Sequence, residues 1–174
     1  MSIFQPDRYF SRITSIDLQR DLLDLGLDCV LLDVDNTVRS RADGCVPRDV
    51  RQWIARARDA GIRFCLLSNN WHGSIYDFAE EVDLPVVAKA CKPLPFGYLR
   101  AMGKVGAKRS EPVAIGDQLL TDVVGAHLVG MEAYMVLPLA EVDLKHTLML
   151  RGVERGLMGS LEPEPAPVVL CEDD

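Results

Sequence analysis

The sequence predicts an α/β fold with a mostly parallel central sheet, and two patterns support this prediction. Several short apolar runs end abruptly in polar residues, and the segments between them space their apolar residues as helices do. The first run contains Val30, Leu31 and Leu32, and it lacks the polar alternation of a half-exposed strand. We therefore expect a strand that is buried on both faces. The 174 residues are enough for one domain with a sizeable core.

The remaining elements follow from the same patterns. Further strands are predicted at 62–67, 86–88, 112–115 and 132–137. Helices are predicted at 15–25, between Pro47 and Gly61, at 75–82, between Pro93 and Gly106, and at 142–158. Two of these helices carry apolar residues at helical spacing on one face, namely Val50, Trp53, Ile54 and Ala57 in the second and Phe96, Leu99 and Met102 in the fourth.

Polar side chains suited to phosphate chemistry follow four of the predicted strands. They are Asp33 and Asp35 after the first, Ser68 and Asn69 after the second, Lys92 after the third, and Asp117 and Asp122 after the fourth. Ligands of open α/β sheets bind beyond the carboxyl ends of the strands. Carboxylates hold divalent cations there, and lysine, hydroxyl and backbone N–H groups hold phosphate oxygens. For the aspartate pair taken alone, a solvated turn is an equal alternative.

At this point the sequence resembles a known family. DVDNT at 33–37, SNN at 68–70, Lys92-Pro93 and GDQLLTD at 116–122 match, in order, the four motifs of the haloacid dehalogenase-like (HAD) phosphatases. The forms of the motifs resemble those of the subclass IIIA, YqeG-like group, which is similar to phosphatidylglycerophosphate phosphatases. Asn36 stands where the commoner family loop has glycine, and the subgroup shares this feature. The resemblance covers roughly residues 1–158.

The resemblance implies an HAD-like Rossmannoid three-layer fold and a Mg²⁺-dependent mechanism. Asp33 would be the nucleophile that forms an aspartyl-phosphate, and Asp35 would be the general acid and then the general base. Asp33, Asp117 and the backbone carbonyl of Asp35 would ligate Mg²⁺. Asp122 would orient a metal-bound water or Lys92.

The resemblance also assigns the groups that hold the phosphate. Ser68 and the backbone N–H of Asn69 would bind the transferring phosphoryl group, and Lys92 would neutralise its developing charge. Lys89 competes with Lys92 for this role, but the lysine of the family precedes a proline, as Lys92 does.

A short link between motifs indicates that the chain has no cap domain. Only nine residues separate Thr37 from Pro47, whereas an independent domain needs at least ~50. An open site suits a large substrate, such as phosphatidylglycerophosphate at a membrane surface, or a site that a second subunit of a homo-oligomer covers. A soluble sugar or nucleotide phosphate is the alternative substrate, and a non-catalytic module that binds a phospho-ligand is the alternative function.

Two segments are candidates for contact with the substrate or with a membrane that carries it. Residues 1–20 either cover an edge of the sheet or form a membrane-facing surface. Arg39 and Arg41 either attract an anionic substrate or belong to a solvated arginine-rich stretch that runs to Arg63.

Composition excludes several other classes. The net charge of −7 disfavours nucleic acid or an anionic membrane as a partner, although the charge is unevenly spread along the chain. The five cysteines are odd in number and lack a CxxC spacing, so neither zinc nor a disulfide framework is indicated, and we expect a reducing cytoplasm. No signal peptide or apolar run near ~20 residues appears, so no transmembrane segment is expected. The predicted domain spans 1–160, and the acidic, proline-rich residues 161–174 are expected to be disordered.

Overall fold

The computed structural model describes residues 2–108, 111–140, 156–158 and 161–164. Its centre is a parallel sheet of six strands in the order β1-β6-β5-β2-β3-β4. The strands are β1 (Arg8–Phe10), β2 (Cys29–Leu32), β3 (Arg63–Leu67), β4 (Val86–Val87), β5 (Pro112–Gly116) and β6 (Glu132–Val136). The predicted parallel sheet is confirmed, and its strand ends agree with the sequence within a residue or two.

Helices cover both faces of this sheet and make three layers. They are α1 (Arg48–Asp59), α2 (Ser74–Glu81), α3 (Pro95–Val105) and α4 (Val124–Leu128). Strand β2 alternates between two cores, because Val30 and Leu32 pack with α1 and α2 whereas Cys29 and Leu31 pack with α3 and α4. All four residues of β2 are buried, as the uninterrupted apolar run predicts.

The amino-terminal residues cover the edge of the sheet beside β6. Strand β1 was not predicted, and it pairs in parallel with Tyr134–Val136 of β6. Phe10, Ile13 and Ile16 are buried in the core on the α1 side. The structure therefore agrees with the interpretation of residues 1–20 as an edge cover, and the membrane-facing alternative stays untested.

The predicted helix at 15–25 is wrong. The structure has two short 3₁₀ turns instead, Ile13–Ser15 and Leu23–Leu25, and Gly26 ends the second with a φ of 74°. Aspartate side chains bond to the local backbone there: Asp17 accepts from Arg20 N at 2.8 Å, and Asp21 accepts from Asp17 N at 2.8 Å. Such local bonds compete with helix formation.

Helix α3 does not bury the face that its apolar spacing indicates. Of the three residues predicted to share a face, Met102 is buried, but Phe96 and Leu99 are exposed. The buried side is built instead from Gly97, Tyr98, Ala101 and Met102. In contrast, the four residues predicted for the buried face of α1 are all buried.

Most of the predicted carboxyl-terminal elements lie outside the described residues. This holds for nearly all of the helix at 142–158 and for 165–174 of the predicted tail. Within 161–164, Glu164 lies against β1: its N–H donates to Tyr9 O at 2.6 Å, and its carboxylate accepts from Arg8. The domain boundary at 160 stays a prediction. No helix in the described part of the chain combines the length and the apolar character needed to cross a bilayer.

Candidate active site

The site lies at the carboxyl ends of the two central strands. Asp33 follows β2 directly, and its N–H continues the ladder by donating to Ile115 O of β5 at 2.9 Å. Asp117 follows β5, which pairs with β2 through Leu32 and Ile115. Parallel pairing in this register therefore sets the two aspartates side by side. Asp33 is 9% exposed, and Asp117 is fully buried.

Lys92 joins two carboxylates at the centre of the site. Its Nζ donates to Asp33 Oδ1 at 2.5 Å and to Asp122 Oδ1 at 2.6 Å, and the lysine side chain is 3% exposed. Lys92 lies in the loop between β4 and α3, so three separate segments converge on its ammonium group. Lys92, rather than Lys89, is thus the lysine that the fold delivers to the aspartates.

Three acidic side chains form a compact cluster around this position. Asp33, Asp117 and Asp122 each offer a carboxylate oxygen, and these oxygens lie within 4.8 Å of one another. Carboxylates held this close repel one another, and a divalent cation among them would offset the repulsion. Oxygen-only donors are what Mg²⁺ prefers. The cluster therefore fits the metal that the sequence implies.

A glycine and a π-helical turn place Asp122 in the cluster. The turn spans Leu119–Val123, and Asp122 Oδ2 accepts from Gln118 N at 3.1 Å. A Cβ atom at Gly116 would overlap the Asp122 carboxyl group, so only glycine leaves room for it. Tyr98 of α3 fixes the turn from below by donating its hydroxyl to Thr121 O at 2.7 Å.

Asp35 lies apart from this cluster and has its own cationic partner. Arg39 Nη2 donates to Asp35 Oδ1 at 3.1 Å, and both side chains are about one-fifth to one-quarter exposed (20% and 24%). The Arg39 guanidinium also lies 5.1 Å from the centre of the Phe78 ring in α2. The side chain of Asp35 is therefore paired with Arg39, whereas that of Asp33 is paired with Lys92.

The structure explains why asparagine occupies position 36, between Asp35 and Thr37. Asn36 has a φ of 68°, a left-handed conformation that asparagine tolerates better than most residues. Its side chain accepts from Arg41 N at 3.1 Å and donates to Ala140 O at 3.2 Å. A glycine would allow the same turn but would lose both bonds, so Asn36 ties the catalytic loop to the segment after β6.

The residues predicted to hold phosphate form one hydrogen-bonded unit. Ser68 is buried, and its hydroxyl accepts from Asn70 N at 3.1 Å. The Asn69 side chain donates to Lys92 O at 3.0 Å and accepts from Lys92 N at 2.7 Å. The sequence assigned only the backbone N–H of Asn69 to the site, and this double clamp by its side chain was not predicted.

Burial and neighbouring charges shift the pKa of the central groups. Burial raises the pKa of Asp33 to about 6, with Lys92 opposing and Asp122 adding to the increase. For Lys92, burial favours the neutral amine, but the carboxylates of Asp122 and Asp33 outweigh it and raise the lysine pKa. Lys92 therefore stays charged at neutral pH, while ionised Asp33 depends on its cationic neighbours.

Some supporting residues had no signal in the sequence. Tyr98 and Gly125 act as a pair, because the Tyr98 ring occupies the space that a Cβ at Gly125 would need. Arg39 was considered for substrate attraction, whereas its side chain pairs with Asp35. No spacing rule links Tyr98 to Gly125, which are far apart in sequence, so only the fold reveals that pair.

Comparison with known proteins agrees with this geometry. A family model described as HAD-hydrolase-like matches residues 90–138. The chain is 32% identical over 160 residues to the "Probable phosphatase YqeG" of Bacillus subtilis (strain 168), and the match covers 91% of this chain and 92% of that protein. The chain belongs to the YqeG-like family of HAD phosphatases. It is therefore an enzyme, as the four motifs predicted.

Solved structures share the HAD fold at low identity. An uncharacterized protein from Listeria monocytogenes serotype 4b matches with a TM-score of 0.55 and 14% identity, covering 72% of this chain and 99% of that one. The cobalt-bound deoxy-D-mannose-octulosonate 8-phosphate phosphatase of Haemophilus influenzae matches with a TM-score of 0.53 and 12% identity, covering 76% and 87%. These likenesses support the three-layer fold of this YqeG-like phosphatase.

Proposed function

We propose that this YqeG-like phosphatase is a Mg²⁺-dependent phosphomonoesterase that works through an aspartyl-phosphate on Asp33. The proposal rests on one observation: the side chains of Asp33, Asp117, Asp122 and Lys92 form a buried cluster at the carboxyl edge of the sheet. Asp33, Asp117 and Asp122 offer carboxylate oxygens for the metal. When bound, Mg²⁺ would supply positive charge to the phosphoryl oxygens and help to keep Asp33 ionised.

Asp33 supplies the nucleophile in this mechanism. One oxygen of its carboxylate forms a bond to phosphorus while the bond from phosphorus to the leaving oxygen breaks. Lys92, which already contacts Asp33 and Asp122, stabilises the negative charge that spreads over the phosphoryl oxygens. Ser68 and the backbone N–H of Asn69 hold the remaining phosphoryl oxygens.

Asp35 moves the protons. It donates a proton to the leaving oxygen in the first step, and it accepts a proton from the attacking water in the second, which releases inorganic phosphate and restores Asp33. Arg39 contacts only Oδ1 of Asp35, so Oδ2 is the oxygen that we assign to the transferred proton. The different partners of Asp33 and Asp35 fit this division of roles.

We propose a phosphatidylglycerophosphate-like lipid as the substrate. Helix α1 begins at Arg48, so the link from Thr37 is a short turned segment with no separate domain to enclose a small molecule. A lipid headgroup that is presented at a bilayer does not need such an enclosure, since the membrane itself limits its approach. A soluble sugar or nucleotide phosphate would need further contacts to be selected.

The experiment is phosphate release from a substrate panel with Mg²⁺. The panel contains phosphatidylglycerophosphate in mixed micelles, sugar phosphates, nucleotides and p-nitrophenyl phosphate. We expect turnover of the lipid to exceed that of the soluble esters, and we expect Asp33→Asn or EDTA to abolish turnover of every ester. Activity that survives EDTA would contradict the metal proposal, and turnover confined to soluble esters would contradict the lipid substrate.

The covalent intermediate can be tested separately. Brief reaction with ³²P-labelled p-nitrophenyl phosphate, whose leaving group needs no proton, followed by acid quenching, should leave label on the wild-type protein and on Asp35→Asn, but none on Asp33→Asn. Hydroxylamine should release this label, because it cleaves acyl phosphates. Label that persists in Asp33→Asn would exclude Asp33 as the nucleophile.

A further inference from the structure

Helix α3 and the two loops at its amino-terminal end form a surface that is both apolar and positively charged. We call it the α3 surface and define it by Trp71, Lys89, Leu94, Phe96, Leu99 and Arg100. Its apolar members are unusually open, with Phe96 67%, Trp71 66%, Leu94 51% and Leu99 44% exposed. Large apolar side chains that gather at an exposed site often mark an interaction surface.

Hydrogen bonds hold the two loops of this surface together. Lys89 N donates to Asn70 O at 3.2 Å, and Ala90 N donates to Ser68 O at 3.0 Å. The Lys89 ammonium lies 5.1 Å from the centre of the Trp71 ring. The loop that carries Trp71 and the loop that leads to Leu94 are therefore adjacent.

The α3 surface also adjoins the catalytic lysine. Leu94 comes two residues after Lys92 and is the last residue before α3. In a parallel α/β sheet the helices begin at the edge where the strands end, which is the edge that carries the active site. Phe96, in the first turn of α3, and Leu99, three residues later on the same side, extend the apolar area away from that edge.

The charge of this segment is opposite to that of the whole chain. Residues 84–108 contain no aspartate or glutamate, although the chain has a net charge of −7. Their exposed basic side chains are Lys89, Arg100, Lys104 and Lys108, whereas Lys92 is buried against Asp33 and Asp122. Aromatic and aliphatic side chains beside lysine and arginine are the composition of protein surfaces that bind the interface of an anionic bilayer. The positive charge attracts the headgroups, and the apolar side chains enter the acyl boundary.

We propose that the α3 surface docks this phosphatase on bilayers that contain anionic lipids. This surface would hold the active site at the bilayer that contains the lipid substrate proposed above, so the proposal rests on that proposed function. A second copy of the chain is a poorer occupant, because a two-fold contact would bring like charges together. Nucleic acid is a poorer occupant, because it offers bases to Trp71 and Phe96 but no apolar phase for Leu94 and Leu99.

The test measures vesicle binding without any substrate. Full-length wild-type protein and Asp33→Asn are mixed with vesicles of phosphatidylcholine alone or of phosphatidylcholine with phosphatidylglycerol, and binding is read by flotation over a range of lipid concentrations. The α3-surface variants are Phe96→Glu and Arg100→Glu. Their matched controls are Leu25→Glu and Arg56→Glu. The Leu25 side chain is 56% exposed and precedes β2, at the end of the sheet away from the α3 surface, and Arg56 lies on the exposed face of α1.

We expect wild-type protein and Asp33→Asn to bind the anionic vesicles and not the neutral ones. Phe96→Glu and Arg100→Glu should each weaken binding by about tenfold, while the controls bind as the wild type does. All four variants should keep the wild-type melting temperature and rate on p-nitrophenyl phosphate. The same mixtures are then repeated with single-stranded DNA as a competitor.

Three results would overturn the proposal. These are wild-type protein that fails to float with anionic vesicles, α3-surface variants that bind as tightly as their controls, and DNA that binds this surface in preference to vesicles. The proposed function fails in a different way, namely as loss of phosphate release in the wild type. Vesicle binding by Asp33→Asn separates the two, because that variant tests docking without catalysis.

Discussion

Among the described residues, two of the clusters that place one cation between two carboxylates differ in the charge of the next group. In the active site Lys92 joins Asp33 and Asp122, and the next group is a third acid, Asp117. At the sheet edge Arg8 joins Asp21 and Glu164, and the next group is a second base, Arg20.

The pKa of the central acid shifts in opposite directions in the two clusters. Burial and acidic neighbours raise the pKa of Asp33 to about 6. For Asp21, burial favours the protonated form, but bonds from Arg20 and Arg8 and from the Asp17 N–H outweigh it and lower the pKa to about 2. The edge cluster thus satisfies its own charges, whereas the Asp33 cluster keeps an excess of carboxylates that suits the cation proposed above. Four predictions test this contrast, from the largest expected effect to the smallest.

The first prediction concerns the two cations. Lys92→Met should lower the free energy of unfolding by about 3–5 kcal/mol, because it leaves buried carboxylates without their ammonium partner. It should also reduce phosphate release by about 10²–10³-fold. Arg8→Met is the matched control and should destabilise the protein without changing the rate of the remaining folded enzyme. Urea unfolding and steady-state kinetics would measure both, and equal rate losses in the two variants would refute the contrast.

The second prediction concerns pH. Because the pKa of Asp33 is raised from 3.8 to about 6, the folded state binds this proton more tightly than the unfolded state. In EDTA, stability from this group should therefore be complete below pH 4 and should fall by about 3 kcal/mol as pH rises through 6. The difference between wild-type and Asp33→Asn unfolding curves across pH isolates this group. A difference that does not change with pH would contradict the pKa shift.

The third prediction concerns Asp21, for which the sign is opposite. Its pKa falls from 3.8 to about 2, so its stabilising effect is present above pH 4 and is lost as pH falls through 2. Asp21→Asn should cost about 2 kcal/mol at neutral pH, measured by urea unfolding. Phosphate release at a temperature where both proteins are folded should stay unchanged. A large loss of activity in this variant would show that the edge cluster is not only structural.

The fourth prediction concerns Arg39 and has the smallest expected effect. Arg39→Ala removes one hydrogen bond to Asp35 and the contact with Phe78, so we expect about a tenfold loss of kcat with little change in KM. Arg41→Ala is the control for general attraction of anions. A rise in KM in Arg39→Ala, with kcat unchanged, would instead make Arg39 a substrate-binding residue.

Much of the fold could be predicted because the apolar pattern of each segment indicates which of its residues are buried. The uninterrupted apolar run before Asp33 and the helical spacing from Val50 to Ala57 each report on their own segment. Strand β1 was missed because three residues, Arg8–Phe10, are too few to show a period, and their pairing with β6 depends on residues more than 120 positions away. The helix at 15–25 was wrong because Asp17 and Asp21 bond to the backbone instead.

The position of the candidate site could be predicted as well, but not all of its contacts. The four motifs placed Asp33, Lys92, Asp117 and Asp122 at one edge, since parallel strands end together, and the structure brings these four into one cluster. Their catalytic roles stay predictions. The sequence did not predict that Asp33 and Asp35 have different cationic partners. This difference depends on the direction of the Arg39 side chain, which the motifs do not specify.

The clamp between Asn69 and Lys92 has a consequence for the entropy of binding. One amide side chain satisfies both the N–H and the carbonyl of Lys92, as a neighbouring strand would. The two loops that would hold the phosphoryl group in the proposed mechanism are therefore joined before any substrate arrives. A substrate that binds to preformed loops does not spend binding energy on ordering them, and more of that energy remains for the transition state.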